Sequence, residues 1–254
     1  VTNVLANPDL TWEKRTTRNI GLDFGFFHER LTGNIDVYWN NTDDLLISHD
    51  IAAPGYNTVW ENSASTSNKG VEITLNGAII QKKNFTLNAN FNIGFDKSNV
   101  KGLANGLEEM TFASGWASTD NKNPNDYIVR VGDHVGLVYG WQSDGYYTTA
   151  DFASYNAATN EYVLKDGVPT SGAMLGGTIG IRPGTMRLKD ISGPDGNPDG
   201  VVDAYDITVI GDTNPDFAGG FGFNGNLYDF DFNINFTYKV GNDIYNANKI
   251  QTNR

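Results

Sequence analysis

The sequence predicts an all-β, antiparallel fold, best accommodated as a segment of a transmembrane β-barrel with long extracellular loops. Three observations predict it. Six runs show period-two alternation of apolar and polar residues, the polar positions are mostly Asn, Thr, Gly and Asp with almost no Lys, and short connections alternate with long ones.

The runs follow in order. Ile20, Leu22, Phe24 and Phe26 alternate with Gly21, Asp23 and Gly25. Leu31, Ile35, Val37 and Trp39 oppose Thr32, Asn34, Asp36 and Tyr38. Val71, Ile73, Leu75 and Ile79 share one face, and Glu72, Thr74 and Asn76 the other. Phe85, Leu87, Ala89, Phe91, Ile93 and Phe95 are interleaved with Thr86, Asn88, Asn90 and Asn92. Phe217, Phe221, Phe223 and Leu227 run against Ala218, Gly220, Gly222 and Asn224. Phe230, Phe232, Ile234, Phe236 and Tyr238 close the set against Asp231, Asn233, Asn235 and Thr237. The runs approach the roughly 9–11 residues that a tilted strand needs to cross the hydrocarbon core. Trp39, Phe95 and Tyr238 fall near run ends, where interfacial aromatics sit.

Short turns are expected at residues 28–30, 81–84 and 228–229, with long segments at 41–69 and 96–216, the latter mostly extracellular loop. The competing architecture is a soluble two-sheet sandwich, with the same apolar faces packed inward. The two make opposite demands on Phe85, Leu87, Phe91, Phe230, Phe232 and Phe236. They are outward and exposed in a barrel, and a packed core in a sandwich.

Composition narrows the partners. In 254 residues, hydrophobic residues make up 39% and charged residues 19%, both below the globular norms of about 45–50% and 25%. The difference is filled by turn- and strand-compatible residues, including 29 Gly. A net charge of −12 argues against a nucleic-acid partner, which requires a basic face. There is no Cys, hence no disulfide framework or thiol chemistry. No apolar run is long enough for a membrane helix. The polar ends, with Val1 first, lead us to expect a piece of a longer protein.

The stretch from Asp195 to Asp206 has the spacing of a calcium loop. Asp195, Asn197, Asp199, Asp203 and Asp206 fall at positions one, three, five, nine and twelve. Gly200 supplies the turn at six and the Val201 carbonyl a ligand at seven. Solvated Asp/Asn/Gly turns share this composition without an ion. If metal is bound, a structural calcium in an outer loop is expected, ringed by at least six oxygens. The aromatics Tyr139, Trp141, Tyr146 and Tyr147, with Trp116 in the same long segment, are candidates for contact with a ligand or a capping partner. Ordinary packing of a long loop is the alternative for each. His28, His49 and His134 lack zinc spacing, and no nucleophile elbow, P-loop, dinucleotide fingerprint or HExxH occurs, so no enzyme is expected.

Several segments resemble the SusC/RagA family of TonB-dependent outer-membrane transporters, in the order that family shows them. They are Asn7 to Lys14 (NPDLTWEK), Asn19 to Phe26 with Leu31-Thr32-Gly33, Asn68 to Glu72 (NKGVE), Val131 to Trp141 with Asp144-Gly145, and the acidic turn leading to Asn214-Pro215-Asp216-Phe217. The block from Ser192 to Pro198 departs from the family turn, so that Asp190 or Asp195 could open the metal loop. Spacing favours Asp195.

The resemblance implies the last third of a 22-stranded barrel in the outer membrane of a Gram-negative bacterium, with the N-terminal plug and the TonB-contacting segment outside these residues. It implies import of oligosaccharides or peptides, a SusD-like lipoprotein lid, coupling to TonB, and pairing with the remaining barrel strands and plug. The alternative class is a secreted, calcium-stabilised β-sandwich carbohydrate-binding module.

Overall fold

A computed structural model of the chain describes residues 3–103, 106–115, 125–172, 180–246 and 248–249. The strands are β1 (Val4–Leu5), β2 (Lys14–Phe26), β3 (Leu31–Ala53), β4 (Tyr56–Lys82), β5 (Phe85–Gly102), β6 (Glu109–Phe112), β7 (Tyr127–Arg130), β8 (Leu137–Trp141), β9 (Ser143–Tyr146), β10 (Phe152–Asn156), β11 (Glu161–Leu164), β12 (Met186–Leu188), β13 (Ile207–Asp212), β14 (Phe217–Leu227) and β15 (Phe230–Val240). Among the described residues no helix is long and apolar enough to cross a membrane. The chain divides into two compact units.

The first unit is one large sheet in the order β15-β14-β5-β4-β3-β2, with β1 added parallel to β4. Every long pairing is antiparallel. Tight turns join β2 to β3, β4 to β5 and β14 to β15. The first carries Phe27, His28 and Glu29 at φ of 56°, 57° and 62°, and the last Tyr228 at 52°. These left-handed residues let the two strands reverse without a longer loop.

The segment 41–69, expected as a long connection, is instead a continuation of the β3–β4 ladder. Pairing runs from Asn41↔Ser67 out to Ala53↔Tyr56, with shifts in register after Thr42, Leu45 and Asp50. Asp44 takes φ of 59° at this irregularity, a bulge that resets which side chains face inward. The reset hid the continuation, because it breaks the period-two pattern. Beyond it Leu45 and Ile47 pack with Ala64, Val100, Leu103, Met110, Val129 and Val131 in a hydrophobic cluster.

Between this extension and the tight turns the apolar face is half-buried to exposed. Ile20 is 69% exposed, Phe230 78% and Phe236 51%. None of Phe85, Leu87, Phe91, Phe230, Phe232 or Phe236 belongs to the buried core. A sandwich would seal these side chains against a second sheet, since leaving them in water forfeits about 1.5–3 kcal/mol each. The sandwich expectation is therefore overturned, and the sheet is a barrel segment open at β2 and β15.

The second unit comprises most of the segment between β5 and β14, expected as a long loop and folded over most of its described length. It holds β8, most of β13 and half each of β6 and β7, the β10–β11 hairpin and the β9–β12 pair. Its core is Ile128, Leu137, Val138, Tyr147, Phe152, Leu188 and Val202. Phe152 links Tyr147 and Tyr162, with ring centroids 6.1 and 5.2 Å apart. Aromatic anchors of this size can order a segment too rich in polar residues to build an aliphatic core.

Candidate functional site

Two places gather polar side chains. The first is the face of the large sheet opposite the apolar one. Register aligns Asn19, Tyr38, Gly70 and Asp96 in one cross-strand row, and Gly21, Asp36, Glu72, Gly94 and Ala218 in the next. A further row holds Asp23, Asn34, Thr74, Asn92 and Gly220. The Tyr38 hydroxyl donates to Asp96 Oδ1 at 2.6 Å, and Asn68 Nδ2 donates to the other carboxylate oxygen at 3.0 Å. Asn34 donates to Asp36 at 2.7 Å, and Asn88 to Asn224 at 3.1 Å.

Two carbonyl oxygens on this face have no partner. Asn40 Oδ1 and Asn68 Oδ1 are buried without a hydrogen bond, on residues paired directly across β3 and β4. A buried acceptor left unmet costs about 1–3 kcal/mol. A cleft bordered by Arg15, Asp36, Tyr38, Asn40, Asn68 and Glu72 opens here. The wall thus combines carboxylates, amides, a phenol and one guanidinium, a set suited to ligands rich in hydroxyls or amides.

The second place is the acidic loop of the other unit. Asp206 is fully buried. Its Oδ1 accepts the backbone N–H of Ile191 at 2.7 Å and of Ser192 at 3.1 Å, and its Oδ2 accepts that of Asp203 at 2.8 Å. Asp190 accepts from the amides of Gly200 at 2.6 Å and Asp199 at 3.3 Å. Asp199 accepts from Val201 N at 2.9 Å, and Asp203 from Tyr205 N at 2.8 Å. Asn197 donates to the Asp195 carbonyl at 3.3 Å. Gly196 and Gly200, at φ of 75° and 89°, carry the turns.

The carboxylates of Asp199, Asp203 and Asp206 are thus engaged on amides, while Asp195 and Asn197 face solvent. Among the described residues no three His, Cys, Asp or Glu side chains gather as a metal site. The calcium expectation continues to rest on spacing. Asp190 is the clamp that spacing passed over. Its signal is its own position nine and ten residues before the amides it holds.

The expected contact aromatics separate. Tyr147 is 1% exposed and is a core pin, not a surface contact. Its hydroxyl donates to the Pro169 carbonyl at 2.6 Å, and Ser171 N donates to it at 3.0 Å. Trp141 is half-buried, with Nε1 donating to the Asp203 carbonyl at 2.7 Å. Tyr139 is half-buried and Tyr146 is 64% exposed. Trp116 and the His49 side chain lie outside the described residues. An aromatic pair that sequence reasoning missed is the exposed Tyr155 on the half-buried Tyr162 of the β10–β11 hairpin, with centroids 4.5 Å apart. The hairpin turns at Asn160, φ 56°.

Elsewhere, His134 Nε2 lies 2.7 Å from Asp212 Oδ2. Burial would raise the Asp212 carboxyl. Hydrogen bonds from the Asn214 backbone and side chain and from His134 outweigh it and hold the group below its ordinary value.

Comparison with known proteins agrees with this geometry. Residues 1–174 match the family model described as TonB dependent receptor-like, beta-barrel. The chain is 31% identical over 260 residues to TonB-dependent receptor P39 of Formosa agariphila, covering 95% of this chain and 23% of that protein. It is 36% identical over 131 residues to TonB-dependent receptor SusC of Bacteroides thetaiotaomicron, covering 51% of this chain and 12% of that one. It therefore spans less than a quarter of the relatives' length. The RagAB peptide importer in its open-open state shares the fold at a TM-score of 0.66 and 22% identity, over 93% of this chain and 21% of that one. These relatives are receptors and transporters, not enzymes. An open antiparallel sheet with one apolar and one polar face, matched over most of its length by these proteins, belongs to the family of TonB-dependent receptor β-barrels.

Proposed function

We propose that this chain forms part of the wall of an outer-membrane importer, powered through TonB, that takes up nutrient oligomers. The observation that supports it most is the division of the large sheet. One face carries exposed Ile, Leu and Phe. The other carries Asp36, Glu72, Asp96 and Asn ladders, with acceptors on Asn40 and Asn68 left open. The first face suits hydrocarbon and the second a wet lumen. Amide and carboxylate rows hydrogen-bond equally well to sugar hydroxyls and peptide groups. Similarity to SusC and to the RagAB peptide importer supports reading the cargo as large.

The rest of the transporter supplies what the sheet lacks. Strands β2 and β15 have edges that lipid cannot hydrogen-bond, so neighbouring barrel strands pair with them. A SusD-like lipoprotein caps the mouth, and the exposed Tyr146 and the Tyr155–Tyr162 pair are aromatic surfaces available to it or to cargo. Calcium at Asp195, Asn197, Asp199, Val201, Asp203 and Asp206 is a separate proposal from spacing. It requires about one ion per chain and a chelator-sensitive loop, and finding neither leaves the amide–carboxylate bonds as the loop's whole order.

The test is to extract the complete transporter in detergent and identify the co-purifying lipoprotein and trapped ligand by mass spectrometry. Uptake of that ligand by whole cells should require TonB. A water-soluble, monodisperse protein with no lipoprotein partner would overturn the proposal.

A further inference from the structure

On the apolar face the register sets Arg18, Trp39, Lys69 and Lys97 in a single cross-strand row: Arg18 opposite Trp39, Trp39 opposite Lys69, Lys69 opposite Lys97. All four side chains are exposed. The row immediately on one side is wholly apolar, Ile20, Val37, Val71 and Phe95. The row on the other side is wholly polar, Thr16, Asn41, Ser67 and Asn99. The cations therefore mark the line where the apolar band ends, and they do so at the end of the sheet away from the tight turns at 27–30 and 83–84.

Two facts indicate an anionic occupant. None of Arg18, Lys69 and Lys97 has an ion-pair partner among the described residues, which leaves all three free to meet an anion, as Lys82 and Lys83 at the opposite end also are. Lys69 and Lys97 also stand directly opposite each other, a like-charge cross-strand pair that is unfavourable unless an anion bridges it. Beside them a cleft of about 500 Å³ is lined by Trp39, Lys69, Phe95, Lys97, Asn214 and Pro215. Asp96, Asp212 and Asp216 also reach the cleft. Asp96 is taken by Tyr38 and Asn68 and Asp212 by His134 and Asn214, and none of the three carboxylates pairs with a lysine among the described residues.

We infer that this row is a binding site for the phosphates of a membrane lipid headgroup, with Trp39 and Phe95 against the sugar and upper acyl region. The inference rests on the barrel reading above. Since that reading puts the tight turns on the inner side, the lipid is the phosphorylated glycolipid of the outer leaflet. Cations at the edge of an apolar band gain from anionic headgroups while their stems remain over hydrocarbon.

The complete transporter, extracted in mild detergent and gel-filtered, should carry glycolipid, scored as lipid A phosphate per mole and as adducts in native mass spectrometry. The triple variant Arg18→Gln, Lys69→Gln, Lys97→Gln should carry roughly tenfold less. The control Lys82→Gln, Lys83→Gln, at the opposite end, should carry the wild-type amount. Inorganic phosphate at millimolar concentration should not displace the lipid, because the acyl chains hold it as well; displacement would mean a free-anion site and overturn the lipid assignment. Equal glycolipid on wild type and triple variant, or none on wild type, overturns the site. If the triple variant still requires detergent and supports TonB-dependent uptake, the transporter reading stands whatever the lipid result.

Discussion

Tyr38 lies directly across the β3–β4 ladder from Gly70, and its hydroxyl reaches past that glycine to Asp96 on β5. A Cβ at residue 70 would meet the Tyr38 hydroxyl and the Phe95 carbonyl. The same device recurs on the other face, where Tyr238 covers Gly219 and donates to the Asn92 carbonyl at 3.0 Å. In each case the aromatic ring fills the space its glycine leaves and ties a third strand into the row.

Replacing Gly70 by Val should therefore displace Tyr38 and release Asp96. Overpacking of this kind costs about 1–3 kcal/mol. The expected readout is a lower temperature for loss of the folded, heat-modifiable band of the complete barrel. Tyr38→Phe, which keeps the ring and loses only the bond to Asp96, should cost less than Gly70→Val. Equal stability of Gly70→Val and wild type would refute the packing role.

The two faces should respond oppositely to charge. Phe91 pairs with Leu75 and Phe221 near the middle of the apolar band. Phe91→Arg should cost about 2–4 kcal/mol if that band meets lipid, seen as poor assembly in the outer membrane. Its neighbour Asn90, on the polar face, should accept Arg with assembly intact. Normal assembly of Phe91→Arg would place the apolar face away from the bilayer.

Much of this sheet was legible in the sequence, because a half-buried strand writes its faces at period two. Parity alone puts Phe91 and Phe221 on the apolar faces of their strands, whereas their pairing across β5 and β14 and its register come from the structure. The β3–β4 extension was not legible, since Asp44 and the neighbouring irregularities interrupt parity. The fold of the segment between β5 and β14 was hidden for another reason. Its strands are three to six residues long over much of that segment, too short to show a period, and its order comes from single buried groups such as Tyr147 and Asp206. At the acidic loop the spacing pointed to a cation, whereas Asp190 and Asp206 are spent on amides. A list of oxygen positions cannot say which way a carboxylate turns.

Asp212 gives a pH prediction with a fixed sign. Its carboxyl is held below the ordinary 3.8 in the folded protein. The unfolded chain therefore takes up the proton first as pH falls. The stabilisation from its bonds to Asn214 and His134 is complete above about 3.8 and is lost as pH drops through the lower folded value. Protease protection of residues 211–217 should be flat from neutral pH down to that point and then fall. Asp212→Asn should remove most of the fall, and an unchanged acid response in that variant would show the carboxylate is not its source.

The bonds that order the acidic loop converge on Asp206. Both of its oxygens accept backbone N–H groups from three residues, and it is fully buried. Asp206→Ala strands those donors in a site water does not reach, at about 1–3 kcal/mol for each left unmet. The loop from Ile191 to Asp203 should then open to proteases. Asp199→Ala, which frees only the exposed Val201 amide, should open it far less if amide bonds are what order the loop. Calcium occupancy removes that difference. Asp199 would then be a ligand in the middle of the set, its loss would match the effect of a chelator, and both would loosen the loop as much as Asp206→Ala does. Limited proteolysis of the two variants, each with and without chelator, reads the ranking directly.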